Sequence, residues 1–464
     1  MTLQLFNTMS RQKEVFTPLA PPSVSLYTCG LTVYDYAHIG NLRAFIFEDV
    51  LRRVFVANGY TVKHVQNITD VGHLTDDGDS GEDKMEKGAA REGKTAWDIA
   101  KFFTAAFRED AAALHIVLPA LMPKATEHIP EQIALIEQLE KKDFTYRIDD
   151  GIYFDTSKLT DYGKLAQLDI AGLQEGARVE KNVQKKNATD FALWKFSPAG
   201  VRRDMEWNSP WGVGFPGWHI ECSAMAMKYL GETIDVHAGG VDHIAVHHTN
   251  EIAQSEAVTG KPFARVWMHG EFLLVDGQKM SKSKQNFYRV TDIIEHGFDP
   301  LAYRYLLLGA HYRSKLNFTW AALKGAQQAY DKLITLCAGW EEGGSVLEEF
   351  RVQFLAALND DLNTPQALAV LWEMVKSSAE PADKKTTLLA MDELLGLSLF
   401  SKAEALRTHL AELGGKMEVL IREREEARAE KNYERADALR AEILHMGIQV
   451  EDSAEGPILK LARA

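Results

Sequence analysis

Two histidines and a glutamate stand together in HHTNE, residues 247–251. On a helix, residues four apart lie on one face with their Cβ atoms roughly 5–6 Å apart, so His247 and Glu251 can converge while His248 points elsewhere. An imidazole and a carboxylate at this spacing suit a metal ion, although a polar helix start near solvent has the same pattern. A metal site therefore needs further ligands from elsewhere in the chain.

The chain has three cysteines that could supply those ligands. Cys337 lies in the apolar helical stretch DKLITLCAGW, which favours a core position. Cys29 and Cys222 instead end the segments VSLYTCG and GWHIEC. Two thiolates, an imidazole and a carboxylate would form a four-coordinate zinc site, because sulfur ligands favour zinc over magnesium or calcium. On pattern alone, these thiols could equally be core residues.

The length and the net charge of the chain limit the class of protein to which it can belong. At 464 residues and 52.0 kDa, the chain predicts three or four domains. Its net charge of −14 argues against nonspecific coating of nucleic acid and allows a specific polyanion only on a local basic surface. Few cysteines, no signal peptide and no bilayer-spanning apolar run predict a cytoplasmic protein that has neither disulfides nor a membrane partner.

The first 70 residues predict a β-α-β unit. SVSLYTC alternates as a strand does, apolar residues from Gly40 to Asn58 recur at helical spacing, Gly59 ends that helix, and YTVKHVQNI is the next strand. Ligands of parallel sheets bind at the carboxyl ends of the strands. Residues 150–200 are irregular and indicate an insertion, ETIDVHAGG and HHTNEIAQSEAV resume the α/β pattern, and the chain from about residue 320 onward is predicted to be all helix.

Two short motifs suit phosphate binding. In AHIGN, Gly40 lets the backbone approach a ligand, the following helix offers free N–H groups, and His38 can donate to a phosphoryl oxygen. A buried histidine at a helix cap is the alternative. KMSKS, residues 279–283, places Lys279 and Lys282 in a polar loop, where they could neutralise a leaving pyrophosphate or simply be solvated.

Together these motifs resemble a known family. AHIGN followed by KMSKS is similar to the paired nucleotide-binding motifs of class I aminoacyl-tRNA synthetases. YTCGLTVYDYAHIGNLR, GWHIECSAM, HHTNEIAQSEA and DDLNTPQAL, in this order, look like the cysteinyl-tRNA synthetase family. The resemblance runs nearly end to end.

The resemblance implies an α/β fold: a Rossmann-like parallel-sheet catalytic domain with an inserted connective domain, followed by all-helical C-terminal domains. The expected boundaries are 1–125 and 206–265 for the two catalytic halves, 126–205 for the connective domain, 266–320 for the KMSKS loop and stem-contact region, 321–400 for a helical bundle, and 401–464 for an anticodon-binding domain.

The resemblance also implies site residues. One zinc ion per chain would be held by Cys29, Cys222, His247 and Glu251 and would select the thiolate of the substrate over the hydroxyl of serine. The cysteine pocket would contain Gly30, Thr69 and Trp218. ATP, with Mg²⁺, would contact His38, Gly40, Asn41, Gly239, Gly240, Asp242, Lys279, Met280, Ser281, Lys282 and Ser283, of which His38, Asn41, Lys279 and Lys282 would be catalytic.

Several positions depart from the family pattern. Asn41 stands where histidine is common in the class, although the cysteine family often shows this change. Lys284 and Gln285 replace the usual Leu and Gly after KMSKS, and NITD runs into VGHLTDDGDSGEDKM instead of an acidic pair. None of these changes removes an expected metal ligand.

The C-terminal part is predicted to bind RNA. DDLNTPQALAVLWEM predicts a helix start capped by Asn363 or Thr364. REREEARAEKNYERADALRAEIL places Tyr433, Ala436, Leu439 and Ile443 at helical spacing, and seven basic and seven acidic residues lie between 416 and 440. A solvated helical hairpin is one interpretation. By resemblance the region reads the anticodon, with Arg424, Arg428, Arg435 and Arg440 as candidate contacts.

The expected function is ATP-dependent ligation of L-cysteine to tRNA(Cys) by a monomeric enzyme. A ligase that joins cysteine to an amino-sugar would share the zinc and nucleotide motifs, but the residues after Ser401 argue against it. A zinc-stabilised tRNA-binding protein with dead catalytic motifs is a third possibility, which intact His38 and Lys282 disfavour.

Overall fold

A parallel sheet, an antiparallel sheet and a series of helices follow one another along the chain. The computed structural model describes residues 2–72, 85, 93–167, 182–198, 200, 203–280, 286–453 and 456–462. Its strands are β1 (Gln4–Asn7), β2 (Gln12–Val15), β3 (Ser23–Thr28), β4 (Thr61–Gln66), β5 (Thr145–Ile148), β6 (Gly151–Phe154), β7 (Phe191–Phe196), β8 (Gly214–Pro216), β9 (Ile234–Gly240), β10 (Ala264–Gly270), β11 (Leu273–Val275), β12 (Gln278–Lys279), β13 (Leu316–Phe318), β14 (Ile448–Ser453) and β15 (Gly456–Leu461).

The helices outnumber the strands in the second half of the chain. They are α1 (Ile39–Ala57), α2 (Ala96–Ala113), α3 (Ile129–Lys141), α4 (Trp218–Leu230), α5 (His247–Thr259), α6 (Val290–Glu295), α7 (Pro300–Leu308), α8 (Trp320–Gly339), α9 (Glu348–Asn359), α10 (Thr364–Lys376), α11 (Pro381–Leu395), α12 (Leu399–Leu413), α13 (Gly415–Ala429) and α14 (Tyr433–His445). Asn363 caps α10 by accepting from the amide of Gln366, which decides between the two predicted caps.

The parallel sheet has the strand order β10-β9-β3-β4. Strand β3 is apolar and central, and its residues Val24, Leu26 and Tyr27 are fully buried. Helix α1 connects β3 to β4, so the predicted β-α-β unit is confirmed. Because all four strands run in one direction, Cys29 and Asn67, which follow β3 and β4, lie at the same sheet edge as the end of β9.

The antiparallel sheet, in the order β5-β6-β7-β8, lies between β4 and β9 in the sequence, as expected for an insertion. Buried residues of its strands, including Phe154 and Trp194, share one core with α3. The same core includes Ile220 of α4 and Ala253 of α5. The inserted sheet therefore packs behind the two helices that carry three of the expected metal ligands.

The prediction that everything after about residue 320 is helical is wrong for the last residues. Strands β14 and β15 form an antiparallel hairpin in which Ile448 pairs with Leu461. Ile448 and Val450 are buried and alternate with more exposed residues, a period of two that suits a strand. Leu459 of β15 accepts from the hydroxyl of Thr335, which attaches the hairpin to α8.

A buried arginine joins the catalytic and helical parts of the chain. Arg304 of α7 is fully buried, and its guanidinium pairs with Asp49 of α1 and donates to the carbonyls of Leu114 and Leu395. Burial alone would raise the pKa of the Asp49 carboxyl, but Arg304 and Arg53 hold it below its usual value. Arg304 thus connects α1, through the carboxyl of Asp49, to the end of α11, through the carbonyl of Leu395.

Candidate active site and metal centre

Four candidate ligands from distant parts of the chain meet at the carboxyl edge of the parallel sheet. Cys29 follows β3, Cys222 lies on α4, and His247 and Glu251 lie one turn apart on α5. All four are buried, and one donor atom of each lies within 4.8 Å of the others. His247 Nε2 is 3.0 Å from Glu251 Oε1, and Cys29 Sγ is 3.7 Å from the same oxygen.

The charges of this cluster depend on one another. Burial alone would raise the pKa of Glu251, but His237 and His247 outweigh it and hold this carboxyl far below its usual range. Burial likewise opposes protonation of His247, yet Glu251 and Cys222 raise its pKa to about 10. The hydrogen bond from Cys29 lowers the pKa of Cys222 to about 7, whereas burial raises that of Cys29 well above its usual value.

These donors fit a metal ion. Two sulfurs, an imidazole nitrogen and a carboxylate oxygen are the ligand types of a four-coordinate site. Because Glu251 and Cys222 raise the pKa of His247, a proton on this imidazole would balance the negative charge of the cluster, and a cation could replace that proton. The cluster could therefore hold a metal ion.

A second set of donors shares two members with the first. Cys29 and Glu251 lie close to His237 and His248, and all four are buried. His237 Nε2 donates to Glu251 Oε2 over 2.9 Å, and His248 Nε2 is 3.3 Å from Cys29 Sγ. The expectation that His248 points away from the cluster is wrong. The His248 ring is held in this position by His269, whose Nε2 lies 2.8 Å from His248 Nδ1.

The sequence analysis did not name His237, which lies inside strand β9, and placed His248 away from the cluster on helical phase alone. The sequence did contain one indication of these two residues, the number of histidines at the strand ends and at the start of α5. Side chains of this kind orient the residues that bind a metal, which is the role their contacts with Glu251 and Cys29 support.

The expected cysteine-pocket residues lie beside the cluster. The amide of Gly30 donates to Asn67 Oδ1 over 2.9 Å, and Asn67 Nδ2 donates to Thr69 Oγ1 over 2.9 Å. A Cβ atom on Gly30 would lie 1.6 Å from the backbone oxygen of Asn67, so only glycine fits. The ring of Trp218 lies 4.7 Å from that of His247. Asn67, which sequence analysis passed over, holds this wall together.

His38 both caps α1 and lines the cleft. The amide of Asn41 donates to His38 Nδ1 over 3.1 Å, and the amide of His38 donates to Asn41 Oδ1 over 3.2 Å. Since Nδ1 accepts, the proton of the neutral ring lies on Nε2, which can donate to a phosphoryl oxygen. The helix-cap interpretation of AHIGN is therefore confirmed, and it is compatible with phosphate binding, which stays a prediction.

One cleft of about 400 Å³ contains most of the expected site. Its lining includes Cys29, Gly30, His38, Gly40, Asn41, Thr69, Trp218, Cys222, Gly239, Gly240, Asp242, His247, Lys279 and Met280. Gly40 faces the end of the Met280 side chain, since a Cβ there would lie 2.2 Å from Met280 Cε. Ser281, Lys282 and Ser283 lie outside the described residues. Glu48 also lines the cleft, and sequence analysis did not single it out.

Three family models match successive parts of the chain. The model described as the catalytic domain of class I (C) tRNA synthetases matches residues 15–328, the DALR domain matches 353–400, and the cysteinyl-tRNA ligase anticodon-binding domain matches 411–456. The first match alone spans more than half of the chain. The chain belongs to the cysteine–tRNA ligase family.

Curated relatives agree with this family of ligases. Cysteine–tRNA ligase 1 of Burkholderia lata is 54% identical over 457 residues, which cover 98% of this chain and 96% of that protein. The cysteine–tRNA ligase of Treponema denticola is 45% identical over 488 residues and covers 98% of each. In the described residues, no helix combines the length and the apolar character needed to cross a membrane.

Solved structures share the fold at low identity. Mycobacterium tuberculosis methionyl-tRNA synthetase in complex with methionyl-adenylate has a TM-score of 0.55 and 15% identity, covering 82% of this chain and 91% of that one. A LeuRS–tRNA–LeuAMS ternary complex from Agrobacterium radiobacter has a TM-score of 0.57 and 11% identity, covering 84% and 85%. The class I synthetase fold of this family is therefore the fold of this chain.

The four arginines expected to contact tRNA lie in different environments of the α13–α14 hairpin. Arg424 is 2% exposed and pairs with Asp452 and Glu425. Arg428 also pairs with Asp452, and Arg435 pairs with Glu423. Arg440 is exposed on α14. The burial of Arg424 indicates that it attaches α13 to β14, and contact with RNA stays a prediction for the other three.

The four residues at helical spacing on α14, Tyr433, Ala436, Leu439 and Ile443, differ in their burial. Ala436, Leu439 and Ile443 are buried, but Tyr433 is 64% exposed. It is the first residue of α14.

Proposed function

We propose that this chain ligates L-cysteine to tRNA(Cys) in two steps. The carboxylate of cysteine attacks the α-phosphate of ATP, which gives cysteinyl-adenylate and pyrophosphate. A hydroxyl of the 3′-terminal ribose of tRNA then attacks the cysteinyl carbonyl, and AMP leaves. The observation that carries this proposal is the convergence of the four buried donors on the same cleft that the AHIGN motif and Lys279 line.

We assign zinc to Cys29, Cys222, His247 and Glu251. When bound, zinc supplies a contact that a thiolate fills well and a hydroxyl fills poorly. An apolar pocket alone would discriminate less well between cysteine and serine, since a difference the size of one methylene is worth only about 1–3 kcal/mol of binding free energy. Gly30 and Thr69, held by Asn67, form one wall of the pocket beside the donors, and Trp218 lies next to His247.

The nucleotide would occupy the rest of the cleft. The amide of Gly40, the positive end of the α1 dipole and the Nε2–H of His38 would suit the phosphates, because the amides of Ile39 and Asn41 already donate to the carbonyl of Tyr288 and to His38 Nδ1. Mg²⁺ would supply further positive charge to the phosphates. Gly239, Gly240 and Asp242 would hold the adenosine. At Gly239 a Cβ would lie 2.6 Å from His243 Nδ1, so the backbone stays bare at this point. Lys279 and Lys282 would stabilise negative charge on the leaving pyrophosphate.

The C-terminal part would supply recognition of tRNA. The match of residues 411–456 to an anticodon-binding domain supports tRNA over an amino-sugar as the acceptor. Arg428, Arg435 and Arg440 of the α13–α14 hairpin are the arginines we retain as contacts. Because Cys29 and Cys222 bind metal only as reduced thiolates, the site suits the reducing cytoplasm.

Two assays test the proposal. Cysteine should support exchange of pyrophosphate into ATP without tRNA, serine should not, and addition of tRNA(Cys) should yield cysteinyl-tRNA. Lys282→Ala should slow exchange by roughly 10²–10³, the scale for losing one preorganised electrostatic contact. Exchange without transfer to tRNA would indicate a different acceptor, and no exchange with any amino acid would overturn the proposal.

A further inference from the structure

The carboxyl group of Glu48 lies at the floor of the cleft. Gly40, Ala44 and Glu48 follow one another at intervals of four residues on α1, so they share one face of the helix, and all three line the cleft. Side chains of an α-helix lean toward its N-terminus, so that of Glu48 leans toward Ala44 and the cleft. Glu48 is only 2% exposed, which makes it a nearly buried acid in contact with the cleft.

The partners of this carboxyl are neutral. Gln66 Nε2 donates to Glu48 Oε2 over 3.3 Å, and the hydroxyl of Thr28 also forms a hydrogen bond with the carboxyl. Among the described residues, no lysine, arginine or histidine pairs with Glu48, and its Oε1 has no hydrogen-bond partner. Burial raises the pKa of Glu48 well above its usual value, and the two hydrogen bonds oppose this rise only in part. Because a buried carboxylate without a countercharge is costly, the group is suited to a ligand that brings a cation.

Glu48 lies beside the sulfur end of the proposed site and away from its phosphate end. Its two partners are the paired last residues of β3 and β4, and the residues that follow them, Cys29 and Asn67, line the cleft. Burial is the main reason that the pKa of the Cys29 thiol is raised, and the charge of Glu48 adds to this rise, so the two groups are close enough to interact. Along α1, Glu48 is about 10 Å from Asn41 at the phosphate-binding end, at 1.5 Å per residue.

We propose that the carboxylate of Glu48 binds the α-ammonium group of the substrate cysteine. The inference rests on the proposed function, which supplies this ligand and places its sulfur at the metal. The amino group and the thiol of cysteine are attached to adjacent carbons, so the ammonium group stays close to a sulfur held beside Cys29. It brings the positive charge and the N–H donors that the carboxyl lacks. Glu48 would thereby select an amino acid over other small thiols, which the metal alone would bind as well.

Two thiols that differ only in the amino group test this contact. The Kd of the full-length, zinc-loaded enzyme is measured by titration calorimetry for L-cysteine and for 3-mercaptopropionate, without ATP or tRNA. The wild-type enzyme should bind cysteine more tightly by roughly 10- to 100-fold, the scale of one hydrogen bond to a charged group. In Glu48→Gln, which keeps the shape of the side chain, most of this preference should be lost because the Kd for cysteine rises. The Kd for 3-mercaptopropionate should not rise.

Glu271→Gln is the matched control, because Glu271 lines the same cleft and accepts from the amide of Phe272. It should keep the wild-type preference for cysteine, and elemental analysis should find the same zinc content in both variants. Since Glu48 is a buried carboxyl without a countercharge, Glu48→Gln should melt no lower than the wild type. Glu48→Leu, a second variant that lacks the charge, should lose the preference for cysteine in the same way.

The outcomes separate this inference from the proposed function. If the wild-type enzyme binds the two thiols alike, or if the folded Glu48 variants keep the preference for cysteine, the ammonium group binds elsewhere and the inference is overturned. Equal weakening of both ligands would mean that Glu48 acts on the metal centre or on the shape of the pocket, and a marked fall of the melting temperature in both variants would mean that it is structural. Each of these results also overturns the inference. If the wild-type enzyme binds no cysteine at all, the proposed function itself fails.

Discussion

Asn41 and His38 cap helix α1 reciprocally, each accepting a hydrogen bond from the backbone amide of the other. Asn41 stands where histidine is common in the class, and its side-chain oxygen has a role here as the acceptor for the His38 amide. The contact fixes the ring of His38 and uses Nδ1 as an acceptor, so a hydrogen bond from this ring to a phosphate would come from Nε2.

Loss of this cap should affect both stability and activity. Asn41→Ala should lower the free energy of unfolding by about 1 kcal/mol, the usual cost of losing a cap, and should slow pyrophosphate exchange about tenfold because the phosphate-binding end of α1 is no longer fixed. Asn363→Ala, which removes a similar cap from α10, is the control. It should cost similar stability without slowing exchange. Equal loss of exchange in both variants would contradict the assignment.

Removal of one sulfur should release the metal. Cys222→Ser should lose most of the zinc found by elemental analysis, because a serine hydroxyl is a poor replacement for a thiolate. Cys337→Ser is the matched control, since Cys337 is also buried but lies in the apolar core of α8. That control should melt at a lower temperature and keep its zinc. Full retention of zinc by Cys222→Ser would remove Cys222 from the site.

Zinc binding should release protons. At pH 8 the apoenzyme holds a proton on His247, whose pKa is raised to about 10, and one on Cys29, while Cys222, with a pKa of about 7, is mostly thiolate. About two protons should therefore leave, and the number should rise as the pH falls below 7. Titration calorimetry in buffers of different ionisation enthalpy measures this number. His247→Asn should release about one proton fewer, and an unchanged count would exclude His247 as the carrier.

Gly30 should tolerate no side chain. Gly30→Ala places a methyl group against the backbone oxygen of Asn67, which should cost about 1–3 kcal/mol of unfolding free energy and raise the KM for cysteine. Gly325→Ala is the control, because Gly325 lies in the exposed part of α8 and has room for a methyl group. It should stabilise the protein by about 0.5–1 kcal/mol, as alanine does inside a helix. Chemical denaturation compares the two, and a stable Gly30→Ala enzyme with an unchanged KM would refute the close approach.

Arg440 should contribute to tRNA binding through its charge. Arg440→Ala should weaken binding of tRNA(Cys) and make its salt slope shallower by about 0.7–0.9, the effect of one lost phosphate contact. Arg424→Ala should instead lower the melting temperature, because Arg424 is buried and holds Asp452. An Arg440→Ala enzyme with the wild-type salt slope would show that the contact lies elsewhere on the hairpin.

The clustering of Cys29, Cys222, His247 and Glu251 could be predicted from the sequence because the family resemblance picks these four. Their chemistry agrees with it, since the chain has only three cysteines and the spacing of His247 and Glu251 puts both on one helix face. His237 and His248 could not be found in this way, since their role depends on which side of a strand or helix meets Cys29, and that is decided by packing. The β14–β15 hairpin was missed because the long helical series before it favoured another helix.

The pairing of Arg304 with Asp49 limits how the protein can be divided. Arg304 also donates to the carbonyl of Leu395, and Gly396, with φ of +67°, lies so close to its guanidinium that a Cβ there would be 2.6 Å from Nη2. A fragment that stops before this loop would expose the buried charge of Arg304 beside α1, the helix that His38 caps. The smallest fragment suited to adenylate formation alone therefore extends at least through Gly396, well beyond the last nucleotide-binding motif.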